Sequence, residues 1–187
     1  DIGIAQGEVL DYLGVDGREA PLAWAGEVRK APGGQACDPW GTVPAGKGQP
    51  AWHPLAHLSS PEQLEQHAWP DPAQFDYAES ARRAAHFESR CATRGPCGVS
   101  LFARVCSLCG TEKTLSLMRF EPALFEAAID KVFAVAHETV RQYLDACGQH
   151  LDILSLRDVF AGDQGLLFDA PLFRSYIKPR LARLFEL

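Results

Sequence analysis

One long amphipathic segment does most to limit the folds open to this chain. Between residues 121 and 147, apolar side chains recur at steps of three and four, which places them in one stripe along a helix. The stripe consists of Phe125, Ile129, Val132, Ala136, Val140, Tyr143 and Cys147. Pro122 suits the first helical position and Gly148 suits the stop, so the pattern predicts one long helix.

The residues after this helix predict a second pair of elements. The sequence LDILSL (151–156) is typical of a buried strand, and residues 171–187 are typical of a helix. Pro179 removes one hydrogen bond from that helix and predicts a kink or break near Ile177. Elsewhere, patterns predict helices over 1–16, 61–67 and 73–90, and strands over 21–28 and from Gly95. The order helix, strand, loop, helix is typical of an α/β fold with a parallel sheet.

Composition excludes several classes of protein. Among 187 residues, 47% are apolar, so the chain can bury a core and is not disordered by composition. The net charge of −6 and the lack of a basic block argue against nucleic acid as a partner. No stretch reaches the roughly 18 uncharged apolar residues of a membrane span, so no membrane partner is expected. Six cysteines in so apolar a chain favour free thiols and a cytoplasmic location.

The loop that follows the predicted strand is the first candidate site. Asp158 ends the apolar run, and Gly162, Asp163, Gln164 and Gly165 follow it closely. In parallel α/β folds, working residues gather on loops at the carboxyl ends of strands, and glycines there leave backbone N–H groups free to face a ligand. We therefore expect a carboxylate aimed at a ligand. The alternative is that Asp158 caps the turn or the helix that follows.

Three stretches of the sequence resemble the uroporphyrinogen decarboxylase superfamily. The first is D-x-x-A-x-x-x-G, beginning at Asp158, followed by P-L-F-R-x-Y-I-x-P-R over residues 171–180. The others are residues 53–72 and the glycine-rich stretch 95–102 followed by Glu112, and both are closest to the corrinoid-linked methyltransferase branch. Val159 and the pair Asp169-Ala170 depart from the patterns of the family.

The resemblance implies a TIM (β/α)8 barrel, of which residues 1–187 would form one incomplete domain, its N-terminal to central portion. A loop or hairpin insertion is expected at about 30–60, where Gly and Pro are frequent. A complete barrel takes about 250 residues. The resemblance also implies a tetrapyrrole, a corrinoid or a corrinoid protein as partner. It implies no cofactor held by this chain alone, since the zinc ligands of the family would follow Leu187. A partial barrel would expose strand edges and apolar faces, so a homo-oligomer is expected as well.

The implied reaction is corrinoid-dependent methyl transfer, with a corrinoid as substrate or carrier. The alternatives are decarboxylation of uroporphyrinogen III and a barrel fragment without catalysis that binds or assembles with a partner. For decarboxylation, Asp158 would stabilise a protonated pyrrole intermediate. For methyl transfer, Asp158 and Asp163 would be polar residues of the pocket. Asp158 is the only candidate for the catalytic role in decarboxylation, whereas the metal ligands for methyl transfer would follow Leu187.

Other residues admit two interpretations each. His53 and His57 either line the mouth of the pocket or lie on a surface loop. Trp40, Trp52 and Trp69 either stack on a planar macrocycle or anchor the long loop by burying area.

The cysteines also admit two interpretations. Cys91, Cys97, Cys106 and Cys109 could together hold a structural zinc ion. Only the last two have the spacing of metal ligands, and cysteine is among the most buried residue types. Buried free thiols are therefore the favoured interpretation.

Overall fold

The fold was examined in a computed structural model, which describes residues 9–46, 51–95 and 99–187. The helices are α1 (Val9–Tyr12), α2 (Pro61–Gln66), α3 (Tyr77–Phe87), α4 (Phe102–Cys109), α5 (Thr111–Phe120), α6 (Pro122–Cys147), α7 (Ala170–Leu172) and α8 (Lys178–Phe185). The strands are β1 (Gly17–Glu19), β2 (Ala23–Trp24), β3 (Phe75–Asp76), β4 (Ala92–Gly95), β5 (Ile153–Leu154), β6 (Ala161–Gly162) and β7 (Gly165–Leu166).

The largest sheet among the described residues is three-stranded and parallel, in the order β1-β4-β5. Neighbouring strands of this sheet follow one another along the chain, and helices lie in both connections. Strands β2 and β3 form a separate antiparallel pair. The predicted α/β class with a parallel sheet is therefore confirmed.

The two faces of the parallel sheet differ. On one face, Thr93 is buried and Gly95 meets α6 so closely that an added Cβ would lie 3.0 Å from the ring of Tyr143. That face packs against α3 and α6 through a small apolar cluster. On the other face, the side chains of Glu19, Arg94 and Ile153 are exposed. Parallel sheets usually have both faces covered, so the exposed face is unusual.

The main core surrounds α6, as its stripe predicts. Every residue of that stripe is buried, from Phe125 to Cys147. Helices α2, α4, α5 and α8 pack around it. Arg180 of α8 is itself buried and donates to the Asp130 carboxylate over 2.8 Å, which ties α8 to α6.

Several predicted elements differ from the observed ones. The strand predicted over 151–156 spans only Ile153–Leu154. The strand predicted over 21–28 spans only Ala23–Trp24. In both cases only two residues pair with a neighbouring strand. The strand predicted from Gly95 instead ends there. No apolar run marks β1, so no local pattern predicted it. Of the helix predicted over 1–16, Val9–Tyr12 is helical, and residues 1–8 lie outside the described part.

The break predicted near Ile177 is confirmed. Residues Phe173–Ile177 form a π-helical turn between α7 and α8, and Pro179 lies in the first turn of α8. A π-turn at this point removes the need for the hydrogen bond that proline cannot donate.

The region of the expected insertion is mostly irregular. Between residues 30 and 60, the described backbone forms two isolated antiparallel bridges, Lys30 with Ala36 and Val43 with Trp52. Within the described ranges, no helix is long and apolar enough to cross a bilayer.

Candidate functional site

The Asp158 carboxylate binds the first turn of α4. It accepts hydrogen bonds from the backbone N–H groups of Leu101 and Phe102 at 2.8 Å and of Ala103 at 2.7 Å. It also accepts one from the N–H of Val159 at 3.0 Å. A carboxylate is favoured here because the first turn of a helix has free N–H groups and a partial positive charge.

Asp158 therefore does cap a helix, but not one of its near neighbours. The helix it caps lies more than 50 residues earlier in the chain. Its carboxylate is largely occupied by protein donors, and the side chain is only half-buried. Its role toward a ligand stays a prediction.

The four residues predicted beside Asp158 form the tip of a hairpin. Strands β6 and β7 pair in antiparallel register, with Asp163 and Gln164 in the turn between them. Gly165 has a φ of +114°, which side-chain-bearing residues rarely adopt. All four of the residues 162–165 are exposed. None of them lines the cavity of about 110 Å³ that Asp158 borders with Leu181 and Leu184.

His53 and His57 lie elsewhere. The Nδ1 of His53 is 2.7 Å from the carbonyl oxygen of Ser107, near the last turn of α4. Asp158 binds the N–H groups of residues 101–103 at the other end of that helix, roughly 6–9 Å away along its axis. His57 lines a separate open cavity of about 300 Å³ together with Gln63 and His67. The structure thus places the predicted site residues at three different positions.

A different cavity lies where strand ends meet. Its volume is about 280 Å³, and we call it the rim pocket. Leu22 follows β1, and Val99 and Ser100 follow β4, so the pocket lies beyond the carboxyl ends of two parallel strands. Ligands of parallel α/β folds bind in this position. Its other walls come from Trp24, Asp38, Pro39, Trp40, Phe75, Arg104, Ala136 and Thr139.

Aromatic rings form much of the wall. The rings of Trp24 and Phe75 meet edge to face with centroids 5.0 Å apart. The Trp24 ring lies directly over Gly26, where an added Cβ would be 2.5 Å from a ring carbon. Glycine at this position therefore permits the orientation of Trp24, whose indole N–H donates to the carbonyl oxygen of Glu27 at 3.2 Å.

An ion pair lies in the same pocket. A guanidinium nitrogen of Arg104 is 2.6 Å from one carboxylate oxygen of Asp38. The other oxygen accepts from the backbone N–H groups of Trp40 at 3.0 Å and Thr42 at 2.8 Å. The guanidinium also lies 4.9 Å from the centroid of the Trp40 ring, at cation–π distance. The side chains of Arg104 and Asp38 are 19% and 30% exposed, so both can meet a ligand.

Sequence reasoning missed both members of this pair. Asp38 and Arg104 are 66 positions apart, and neither belongs to a motif that points to a pocket. The D-P-W-G sequence at Asp38 is a signal for a turn, in which an Asp side chain binds backbone N–H groups two residues on. That signal could have located the turn but not its partner on α4.

Of the three tryptophans for which stacking or anchoring was expected, Trp40 and Trp69 anchor the long loop. Trp40 is buried and packs edge to face against Trp69, with centroids 6.2 Å apart. The indole N–H of Trp69 donates to the carbonyl oxygen of Leu64 at 2.8 Å. Trp52 is 37% exposed and does not line the rim pocket.

Of the two thiols of α4, Cys109 is buried and Cys106 is half-buried. Burial raises the pKa of Cys106 to about 11 and that of Cys109 to about 12. Such thiols stay protonated at neutral pH and are poor nucleophiles. Within the described residues, no group of three or more His, Cys, Asp or Glu side chains could hold a metal ion. Cys97, the fourth residue of the zinc hypothesis, lies outside them.

Comparison with known proteins adds no relative. Neither a protein-family model, nor a curated protein, nor a solved structure matches this chain.

Proposed function

We propose that this chain is a portion of a (β/α)8 barrel of the uroporphyrinogen decarboxylase superfamily, with its ligand site at the rim pocket. One observation carries the proposal. The strands β1, β4 and β5 lie side by side in parallel, in the same order in the sheet as in the chain. Helices cover only one face of this sheet. This arrangement repeats around a (β/α)8 barrel, whose helices all lie outside.

The character of the exposed face also supports a barrel. A doubly wound sheet carries helices on both faces, so the second face should be apolar. Here the centre of that face carries an ion pair between Glu19 and Arg94. This ion pair argues against a surface on which a second layer of helices packs.

Within this proposal, the reaction is corrinoid-dependent methyl transfer, in which the rim pocket holds one side of the corrinoid or a smaller reaction partner. The pocket is too small to enclose a whole macrocycle. Uroporphyrinogen decarboxylation is the alternative reaction. In that case Asp38 is better placed than Asp158 to stabilise a protonated pyrrole, because its carboxylate lies in the pocket and is partly exposed. The buried thiols suit a cytoplasmic location.

Spectroscopic titration tests this proposal. Hydroxocobalamin and coproporphyrin would each be titrated with the chain while their visible absorbance bands are followed. Saturable binding of hydroxocobalamin, weakened at least about tenfold by Trp24→Leu, is expected. Trp52→Leu is the matched control, since Trp52 lies outside the rim pocket. Tighter binding of coproporphyrin would favour decarboxylation, and no binding of either compound would overturn the proposal.

A second candidate is a barrel fragment that binds or assembles with a partner without catalysis. The occupied carboxylate of Asp158 favours it, because the residue expected to be catalytic already has three α4 N–H groups as partners. The exposed sheet face would then meet a partner, which the expected homo-oligomer supplies. Analytical ultracentrifugation tests this candidate: self-association weakened by Arg94→Glu is expected, and a monomer at all concentrations contradicts it.

A further inference from the structure

We infer that the rim pocket binds a small, neutral, flat heteroaromatic ring that carries a hydrogen-bond donor beside an acceptor, as lactam-type purines and pyrimidinones do. This inference rests on the rim pocket being the ligand site of the proposed function, and it names the chemical class of the smaller reaction partner held there. It depends on four properties of the pocket: volume, hydrogen-bonding capacity, charge and aromatic walls.

The volume limits the ligand to one or two rings. Pockets for small molecules commonly have about 300–1,000 Å³. The rim pocket, at about 280 Å³, lies at the lower end of that range. A bicyclic ring system fits within it, whereas a complete tetrapyrrole does not.

Hydrogen-bonding capacity defines the edge that the ligand must present. A guanidinium has five N–H donors, and each carboxylate oxygen can accept two hydrogen bonds. One donor of Arg104 is used on Asp38, and the Asp38 oxygen that receives it accepts no other hydrogen bond from the described residues. Arg104 can therefore donate to a ring carbonyl while Asp38 accepts from the neighbouring ring N–H.

Charge selects a neutral ligand. Asp38 and Arg104 neutralise each other, and both are largely withdrawn from water. An anionic ligand would bring a second negative charge close to Asp38. A cationic ligand would bring a second positive charge close to Arg104. Desolvated like charges are unfavourable, so a neutral ring with both a donor and an acceptor is the better match.

The walls favour a flat ring. Trp24, Trp40 and Phe75 supply aromatic surface, and Arg104 is held over the Trp40 ring. Thr139 adds a buried hydroxyl that interacts with Tyr77. Aromatic faces with one fixed polar edge hold a heteroaromatic ring in a single orientation.

Hypoxanthine is the probe that tests the inference, and purine, which lacks the carbonyl group, is its matched comparison. Isothermal titration calorimetry would measure both against the intact chain and against Arg104→Lys. Lysine keeps the positive charge but loses the planar fork of donors. Arg119→Lys, on the exposed side of α5, is the control. Circular dichroism would verify that each variant is folded.

The expected result has three parts. Hypoxanthine binds at one site, and purine binds at least about tenfold more weakly. The Arg104→Lys substitution weakens the binding of hypoxanthine about tenfold. The Arg119→Lys substitution does not change it measurably. Absence of hypoxanthine binding, equal binding of purine, or an unchanged affinity of a folded Arg104→Lys variant would each overturn the inference. Because no cobalamin or porphyrin is used, its failure is distinct from failure of the proposed function.

Discussion

Two carboxylates meet the first turn of α4, and they differ in what they bind there. Asp158 accepts from the backbone N–H groups of residues 101–103, whereas Asp38 pairs with the side chain of the next residue, Arg104. The first contact joins the loop after β5 to the helix. The second lies in the wall of the rim pocket, where both charged groups are partly exposed.

The difference separates a stabilising carboxylate from one available to a ligand. Asp158 follows a strand, where a ligand-binding carboxylate is expected, yet its oxygens accept hydrogen bonds from backbone N–H groups of the protein. Asp38, in a loop without secondary structure, keeps capacity for one more hydrogen bond. A residue's place in the sequence thus predicts where a carboxylate lies in the fold, but not which donors it meets.

The largest expected effect comes from removing the Asp158 carboxylate. Asp158→Ala leaves the first N–H groups of α4 without a partner, so we expect the free energy of unfolding to fall by about 2–3 kcal/mol. Asp163→Ala, at the exposed hairpin tip, is expected to change it by less than about 0.5 kcal/mol. Urea denaturation followed by circular dichroism measures both. Equal effects of the two substitutions would show that the cap contributes little.

Asp38→Ala is expected to have a smaller effect on stability and a larger one on binding. Loss of two backbone acceptor contacts and of a partly exposed ion pair should cost about 1–2 kcal/mol. Asp38→Asn retains an acceptor for the N–H groups of Trp40 and Thr42, so it should recover much of the stability but not the affinity for hypoxanthine. Full recovery of both would mean that the negative charge is not used in the pocket.

Gly26→Ala tests the aromatic wall alone. The added methyl group would collide with the Trp24 ring and with the Gln74 side chain, 2.6 Å away, so the indole must move. We expect a loss of stability of about 1 kcal/mol and weaker ligand binding. Gly33→Ala is the control, since its Cβ would meet nothing closer than 3.7 Å. Intrinsic tryptophan fluorescence and calorimetry report the outcome, and an unchanged Gly26→Ala variant would contradict the described packing.

A pH titration gives the smallest expected effect. Burial, and secondly the charge of Arg29, lower the pKa of His67 below its ordinary value of 6.5. The unfolded chain therefore takes up a proton at a higher pH than the folded chain, and stability falls as the pH decreases through 6.5. His67→Gln should flatten this decrease between about pH 7 and 5. An identical pH profile of wild type and variant, measured by thermal unfolding, would contradict it.

The fold was predictable where one local pattern was strong. The stripe of α6 predicted both its length and its buried face, because periodicity over many residues leaves few alternatives. The break before Pro179 was predictable because proline cannot donate the hydrogen bond that an α-helix requires. Strand β1, with the sequence GRE, was not predictable, because it becomes a strand only by pairing with β4.

The candidate site was less predictable, for a physical reason. The rim pocket depends on contacts between residues far apart in the chain, such as Asp38 with Arg104 and Trp24 with Phe75. No local pattern records such contacts. Asp158 was predicted as a site residue because the end of a strand is a local signal. Its contact with the first turn of α4 was not predicted.

The most direct test of the central claim is a ¹H–¹⁵N correlation spectrum recorded while hypoxanthine is added. The claim is that a ligand enters the rim pocket rather than the loop that carries Asp158. The indole N–H signals of Trp24 and Trp40 should then move in a saturable manner while that of Trp52 stays in place. Changes confined to the backbone amides of residues 161–166, with both pocket indoles unmoved, would contradict the claim.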